Sequence, residues 1–171
     1  MLLYLMRHAA AESTTLGGDA NRPLSPAGRE QLQRLIPLLL ALGLRPEWIV
    51  ASPYRRAMET AQLLAAGIGY SGEILSDTSL LPTSTPTAAQ SLVLAFAQAS
   101  QLLLIGHAPN VVTWVTQLCA TATLRIAFPS GAICCVELEN PRSWTGRLCW
   151  HLIPPLGQTS SGAAGSGAVL P

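Results

Sequence analysis

Two of the chain's three histidines stand just past apolar runs. Leu-Leu-Tyr-Leu-Met (2–6) ends in Arg7-His8, and Leu-Leu-Leu-Ile (102–105) ends in Gly106-His107. A third run, Trp-Ile-Val-Ala (48–51), ends in Ser52-Pro53-Tyr54-Arg55-Arg56. If the runs are parallel strands of one sheet, two imidazoles and at least two guanidiniums gather beyond its carboxyl ends, where α/β sheets bind ligands. That set suits a dianionic phosphoryl group. Stabilising the charge spread over its three peripheral oxygens is most of the catalytic work, and fixed arginine forks match those oxygens. One neutral imidazole can attack phosphorus, kept neutral by cations that lower its pKa. The second, His107, would donate a hydrogen bond to an equatorial oxygen. Gly106 permits a sharp turn, and a helix starting near Pro109 would present its positive end.

Successive helical residues diverge by about 100°, so only one of Arg55 and Arg56 can face the site. Arg55 lies four residues before Glu59, a pair suited to a solvated face. Arg56 lies nearer the apolar side of Ala57, Ala61 and Leu64, which makes Arg56 the inward one. The third histidine, His151, sits inside the last apolar run and reads as a strand residue with a satisfied ring. Two histidines without carboxylate or cysteine partners at ligand spacing do not make a metal site. No cofactor is expected either.

These side chains need a scaffold. The 171 residues are one domain's worth, and 49% hydrophobic with 11% charged content is globular. The run 2–6 reads as a buried strand. Pro23-Leu24-Ser25-Pro26 leads into a helix carrying Leu32, Leu35, Ile36 and Leu39, with Pro37 expected to kink it or make it irregular. Residues 48–51 form a second strand, after which Ser52 reads as an N-cap with Pro53 in the first helical turn. A short strand at 73–75, a helix over 86–99 and a third strand at 102–105 follow. Val112, Val115, Gln117 and Leu118 then fit a helix. Residues 132–138 and 147–152 read as paired strands. Apolar strands alternating with helices predict an α/β fold, three layers deep, with a mainly parallel sheet covered on both faces. From residue 157 to 171 the Gly/Ala/Ser-rich sequence lacks periodicity and reads as a flexible tail.

Composition excludes several functions. All ten cations are arginine, so a Walker-type phosphate loop, a Schiff-base enzyme and a lysine general base are ruled out. A net charge of +1 argues against a nucleic-acid surface. The opening apolar run is cut after six residues, too short for a signal h-region or a membrane span, so a cytoplasmic protein follows by default. The four cysteines, at 119, 134, 135 and 149, lack Cys-x-x-Cys spacing and read as buried free thiols. Cys134 and Cys135 should point to opposite faces of their strand.

Leu-Tyr-Leu-Met-Arg-His-Ala, Ser-Pro-Tyr-Arg-Arg-Ala-Met-Glu-Thr-Ala and Ile-Gly-His-Ala-Pro-Asn, in that order, resemble the signature segments of the histidine phosphatase superfamily. The resemblance spans residues 1–156 and implies a phosphoglycerate-mutase-like fold. The short length, Asn-Arg-Pro-Leu-Ser-Pro-Ala-Gly (21–28) and the closing Trp-His-Leu-Ile-Pro-Pro are most similar to the small phosphohistidine phosphatases, the SixA-like branch. It implies that His8 is the phospho-accepting nucleophile and that Arg7, Arg56 and His107 clamp the phosphate. Arg22 would be a further phosphate or substrate contact, or else a loop arginine holding the fold. The implied substrate is a phosphohistidine protein; the alternatives are a small phosphate ester or, without catalysis, a phosphoryl-binding module. A shallow cleft would favour the protein, and a deep, arginine-rimmed one with a resident acid the metabolite.

Two departures stand out. Ala9 replaces the usual glycine, which is tolerable if the backbone there needs no positive φ. Many superfamily phosphatases carry a glutamate that protonates the leaving oxygen; here Ser79 occupies that place, and Asp77, two residues away, is the candidate to reach the substrate in its stead, so both are expected at the substrate site. Serine is no acid near neutrality. An alkoxide needs a proton to leave, whereas the imidazole of phosphohistidine can leave as a neutral amine. A site without a strong acid therefore favours P–N over P–O bonds.

Overall fold

In a computed structural model, residues 1–14, 16–120 and 125–154 are described. The segment 157–171 and the boundary at 156 lie outside them. The strands are β1 (Leu2–Arg7), β2 (Trp48–Ala51), β3 (Ile74–Ser76), β4 (Gln101–Gly106), β5 (Ile133–Asn140) and β6 (Thr145–Leu152). The helices are α1 (Pro26–Ala41), α2 (Arg55–Ile68), α3 (Pro86–Ala95) and α4 (Asn110–Leu118).

One six-stranded sheet runs in the order β3-β2-β4-β1-β5-β6. The pairings β3·β2, β2·β4 and β4·β1 are parallel. β5 and β6 complete the sheet as an antiparallel flank. Side chains alternate across the pleat, so each central strand feeds two cores. Leu3, Leu5, Cys134 and Val136 pack with α3 and α4. Tyr4, Met6, Ile133 and Cys135 pack with α1 and α2. The adjacent cysteines thus belong to opposite layers.

Local chemistry sets the helix boundaries. Ser25 caps α1 by accepting a hydrogen bond from the Gly28 N–H, with Pro26 in the first turn. The helix assignment runs through Pro37, which lies on the exposed side, where the carbonyl left without its N–H partner can meet water. Ser52 is not the cap of α2. The helix begins three residues later, with Tyr54 at its cap position and no side-chain cap, and ends on Gly69 in the left-handed region. α3 stops at Ala95, short of 99, and the chain then turns through Phe96 N–H to Val93 O and Ala97 N–H to Leu94 O. The buried stripe of α4 is Val111, Trp114, Val115 and Leu118 rather than one through Val112 and Gln117.

Two further expectations change. Among the described residues no hydrogen bond satisfies the buried Nε2 of the His151 ring, which lies 4.9 Å from the Phe128 ring. Cys134 and Cys135 are buried free thiols, but Cys149 is exposed and Cys119 only half-buried. No described helix is long and apolar enough to cross a membrane.

α1 approaches the loop after β1 with no space to spare. The Ala10 carbonyl accepts from both the backbone N–H and the hydroxyl of Ser25. A Cβ on Gly28 would lie 2.0 Å from that same oxygen. Gly28→Ala is therefore expected to cost about 1–3 kcal/mol by overpacking against rigid backbone. It should appear as a lower urea midpoint at unchanged slope; an unaltered midpoint would contradict the close contact.

Candidate active site

The register of β1 against β4 builds the site. Arg7 pairs with Gly106, and the next N–H, that of His8, donates to the Gly106 carbonyl at 3.0 Å. The Ser52 N–H donates to Ile105 O at 2.9 Å and ties the end of β2 to the same place. His8 and His107 therefore emerge side by side, ring centroids 5.0 Å apart. Both are buried, as is Arg56, which is 5% exposed. Arg55 instead pairs with Glu59 on the exposed face.

The hydrogen bonds assign the His8 tautomer. Nδ1 lies 2.7 Å from the Ala9 carbonyl, which can only accept, so Nδ1 carries the hydrogen. Nε2 keeps its lone pair and accepts from Arg56 Nε at 3.1 Å. The Ala9 N–H donates to Thr60 Oγ1, whose own hydroxyl donates to the Arg56 carbonyl at 2.6 Å. This fully buried threonine thereby couples the backbone that orients His8 to the turn that carries Arg56. Ala9 does not adopt a positive φ, so alanine fits where glycine is usual.

The two imidazoles are held neutral chiefly by burial, with the cations second. Burial draws His8 down to about 4, helped by Arg56, Arg7 and Arg22 and opposed by the bond to Ala9. His107 falls to about 3, through burial, then His8 and Arg56. Arg7 donates from Nη1 to Phe128 O at 3.0 Å, while its Nε is buried without a partner among the described residues. Arg22 Nε donates to Glu12 O at 2.6 Å and its Nη1 to Asp19 Oδ1 at 2.7 Å, so it holds its loop while lining the cleft.

The cleft encloses about 330 Å³. Arg7, His8, Arg22, Arg56 and His107 line it together with Asp19, Ala10, Ala11, Pro82, Ala108 and Ser130, and Asp19 is the most exposed of them. Asp77 and Ser79 are not brought there. Asp77 Oδ1 accepts the Ser79 N–H at 2.7 Å, capping the turn Thr78–Leu80. Asp77 follows the edge strand β3 and borders a separate hollow with Glu73 and Phe96. The segment reaches the cleft only at Pro82.

Asp19 is the carboxylate that sequence reasoning misses. It sits on the turn Asp19–Asn21; its carbonyl accepts from Arg56 Nη1 at 2.6 Å and its Oδ2 from Arg56 Nη2 at 3.1 Å. Bonds from Arg22 and Arg56 hold its carboxyl below the usual range. The available signal was that Asp19 is the lone acid between Glu12 and Arg22. Among the described residues, no group of three or more His, Cys, Asp or Glu could hold a metal ion.

Comparison with known proteins bears on the family and the fold. The profile of the histidine phosphatase superfamily (branch 1) matches residues 3–80. An uncharacterised protein of Picosynechococcus sp. is 31% identical over 121 residues, covering 67% of this chain and 70% of that one. The chain belongs to the histidine phosphatase superfamily. Phosphohistidine phosphatase SixA of Escherichia coli is 29% identical over 160 residues, 90% of this chain and 94% of its own. The solved structure of the protein histidine phosphatase SixA complexed with tungstate superposes with a TM-score of 0.82 at 24% identity, over 90% of this chain and 97% of that one. The superfamily fold is thus present along nearly the whole described chain.

Depressed imidazoles carry a stability signature. Above about pH 6.5 both rings are neutral folded and unfolded, and the full stability is present. Between that value and the folded values of about 4 and 3, the unfolded chain binds more protons, so stability is lost as pH falls. Urea midpoints are expected to drop from pH 7.5 to pH 5, less steeply in His8→Asn. Equal slopes in both proteins would show that His8 is not held neutral.

Proposed function

We propose that the chain is a phosphatase working through a phosphohistidine intermediate on His8, and that its substrate is phosphohistidine in a protein, as in a phosphorelay. The supporting observation is the unprotonated Nε2 of His8, its tautomer fixed through Nδ1 by Ala9, in a cleft lined also by Arg7, Arg56 and His107. In this reading residues 1–156 form the phosphatase domain, Arg22 contacts phosphate or substrate, and the protein is cytoplasmic, acting on neither nucleic acid nor membrane.

Chemically, His8 Nε2 attacks phosphorus as Arg56 Nε turns from that nitrogen to a phosphoryl oxygen. The P–N bond to His8 forms while the bond to the leaving nitrogen breaks, and the charge passes over oxygens held by Arg7, Arg56 and His107. Water then attacks phosphorus, the P–N bond to His8 breaks, and inorganic phosphate leaves with His8 returned as the neutral imidazole. Asp19 is the one carboxylate lining the cleft among the described residues. Held ionised by Arg22 and Arg56, it can accept a proton from that water but has none to offer an alkoxide. An imidazole already protonated on its other ring nitrogen leaves as a neutral base and needs none. Apart from the histidines, the arginines and the exposed Asp19 that pairs with Arg22 at 2.7 Å, the lining is uncharged, which supports the surface of a protein over the anionic groups of a metabolite.

Turnover of a phosphohistidine peptide should exceed that of an unactivated alkyl phosphate by at least about a hundredfold, or ~2.7 kcal/mol of barrier. Comparable rates would favour a small phosphate ester instead. His8→Ala should lower aryl phosphate turnover by at least about a thousandfold, and the intact chain should trap acid-labile phosphate on His8. Persistent turnover in His8→Ala would overturn the covalent route.

A further inference from the structure

Ser52 is fully buried and fixed at the end of β2 by its own backbone bond to Ile105. Its Oγ has two polar neighbours among the described residues. One is the Tyr54 N–H at 3.4 Å, which can only donate. The other is His107 Nε2 at 2.8 Å. The hydroxyl carries a single hydrogen, and among the described residues Nε2 is the one acceptor within its reach.

His107 is neutral, so it bears one ring hydrogen, on Nε2 or on Nδ1. If Nε2 carried it, Nε2 would donate to Ser52, and the serine hydrogen would be left without an acceptor in a sealed interior, where an unmade bond is most costly. Nδ1 would then gain only the long 3.5 Å approach of Arg56 Nη2. If Nδ1 carries the hydrogen, the short Ser52–His107 bond is kept with the hydroxyl donating. The remaining donor is then at Nδ1, beside Arg56 on the cleft side. Two N–H groups 3.5 Å apart cannot satisfy each other. They suit one shared anionic oxygen.

We propose that Ser52 is a positioning residue that fixes the Nδ1–H tautomer of His107, so that His107 and Arg56 together hold one phosphoryl oxygen. The inference rests on the reading of the cleft as a phosphoryl site. Ser52 touches no substrate; it acts through the ring. Its motif position, which reads as a helix cap, is thereby given another use.

Histidine ¹⁵N spectra of the full chain test this without turnover, the His107 signals being assigned by their loss in His107→Asn. The expected pattern is a protonated Nδ1 and an unprotonated Nε2. A protonated Nε2 would overturn the proposal, even if phosphohistidine hydrolysis stands. Ser52→Ala should redistribute the tautomers and weaken binding of inorganic phosphate by about tenfold, the low end for loss of an orienting partner. Ser52→Thr, which keeps the hydroxyl, should restore both. Phosphate affinity unchanged in Ser52→Ala would also overturn it. If Ser52→Ala does not fold, the wild-type spectrum alone decides.

Discussion

Parallel pairing of β1 with β4 puts Arg7 level with Gly106, and the bond from His8 N–H to Gly106 O carries that register one residue past the strand. Everything at the cleft inherits this alignment. A slip by one residue would turn every β1 side chain to the opposite face and send His8 away from His107. What resists the slip is ordinary apolar burial: Leu3 and Leu5 belong to one core, Tyr4 and Met6 to the other. Both faces are committed, so the geometry of the cleft is held by residues with no chemistry of their own.

The same burial sets the electrostatics. Withdrawal from water is the largest influence on both imidazoles, and the neighbouring cations deepen an effect already present. Arg7 is also drawn down, by burial and by Arg56, as expected of two cations sharing a confined space. Asp19 relieves part of this crowding from the exposed side. The cleft thus favours an added negative charge, while the imidazole proposed as its nucleophile remains an uncharged base.

The strands and their chemical ends were legible because buried parallel strands read as unbroken apolar runs, and a polar residue that ends such a run is conspicuous. Arg56 could be separated from Arg55 by helical geometry alone. Tertiary placement was not legible. Ser-Pro before a helix is a good cap signal, yet a hydrogen bond to a histidine 55 residues away claims the Ser52 hydroxyl. Asp77 seemed near the site by motif spacing, but it follows an edge strand and spends its carboxylate on its own turn. Asp19 lies in a loop without periodicity, and only the two arginines that grip it reveal its position. The single departure that sequence and backbone settle together is Ala9, whose φ needs no glycine.

The neighbouring thiols on β5 have a use of their own. Cys134 belongs beneath α3 and α4, and Cys135 beneath α1 and α2, the layer that supplies Arg56 and Thr60. Transient lifting of either helical layer would uncover one sulfur and leave its neighbour covered. A single dipeptide thus carries separate reporters for the two halves of the molecule, and the order in which they react with a thiol reagent would tell which half breathes more freely.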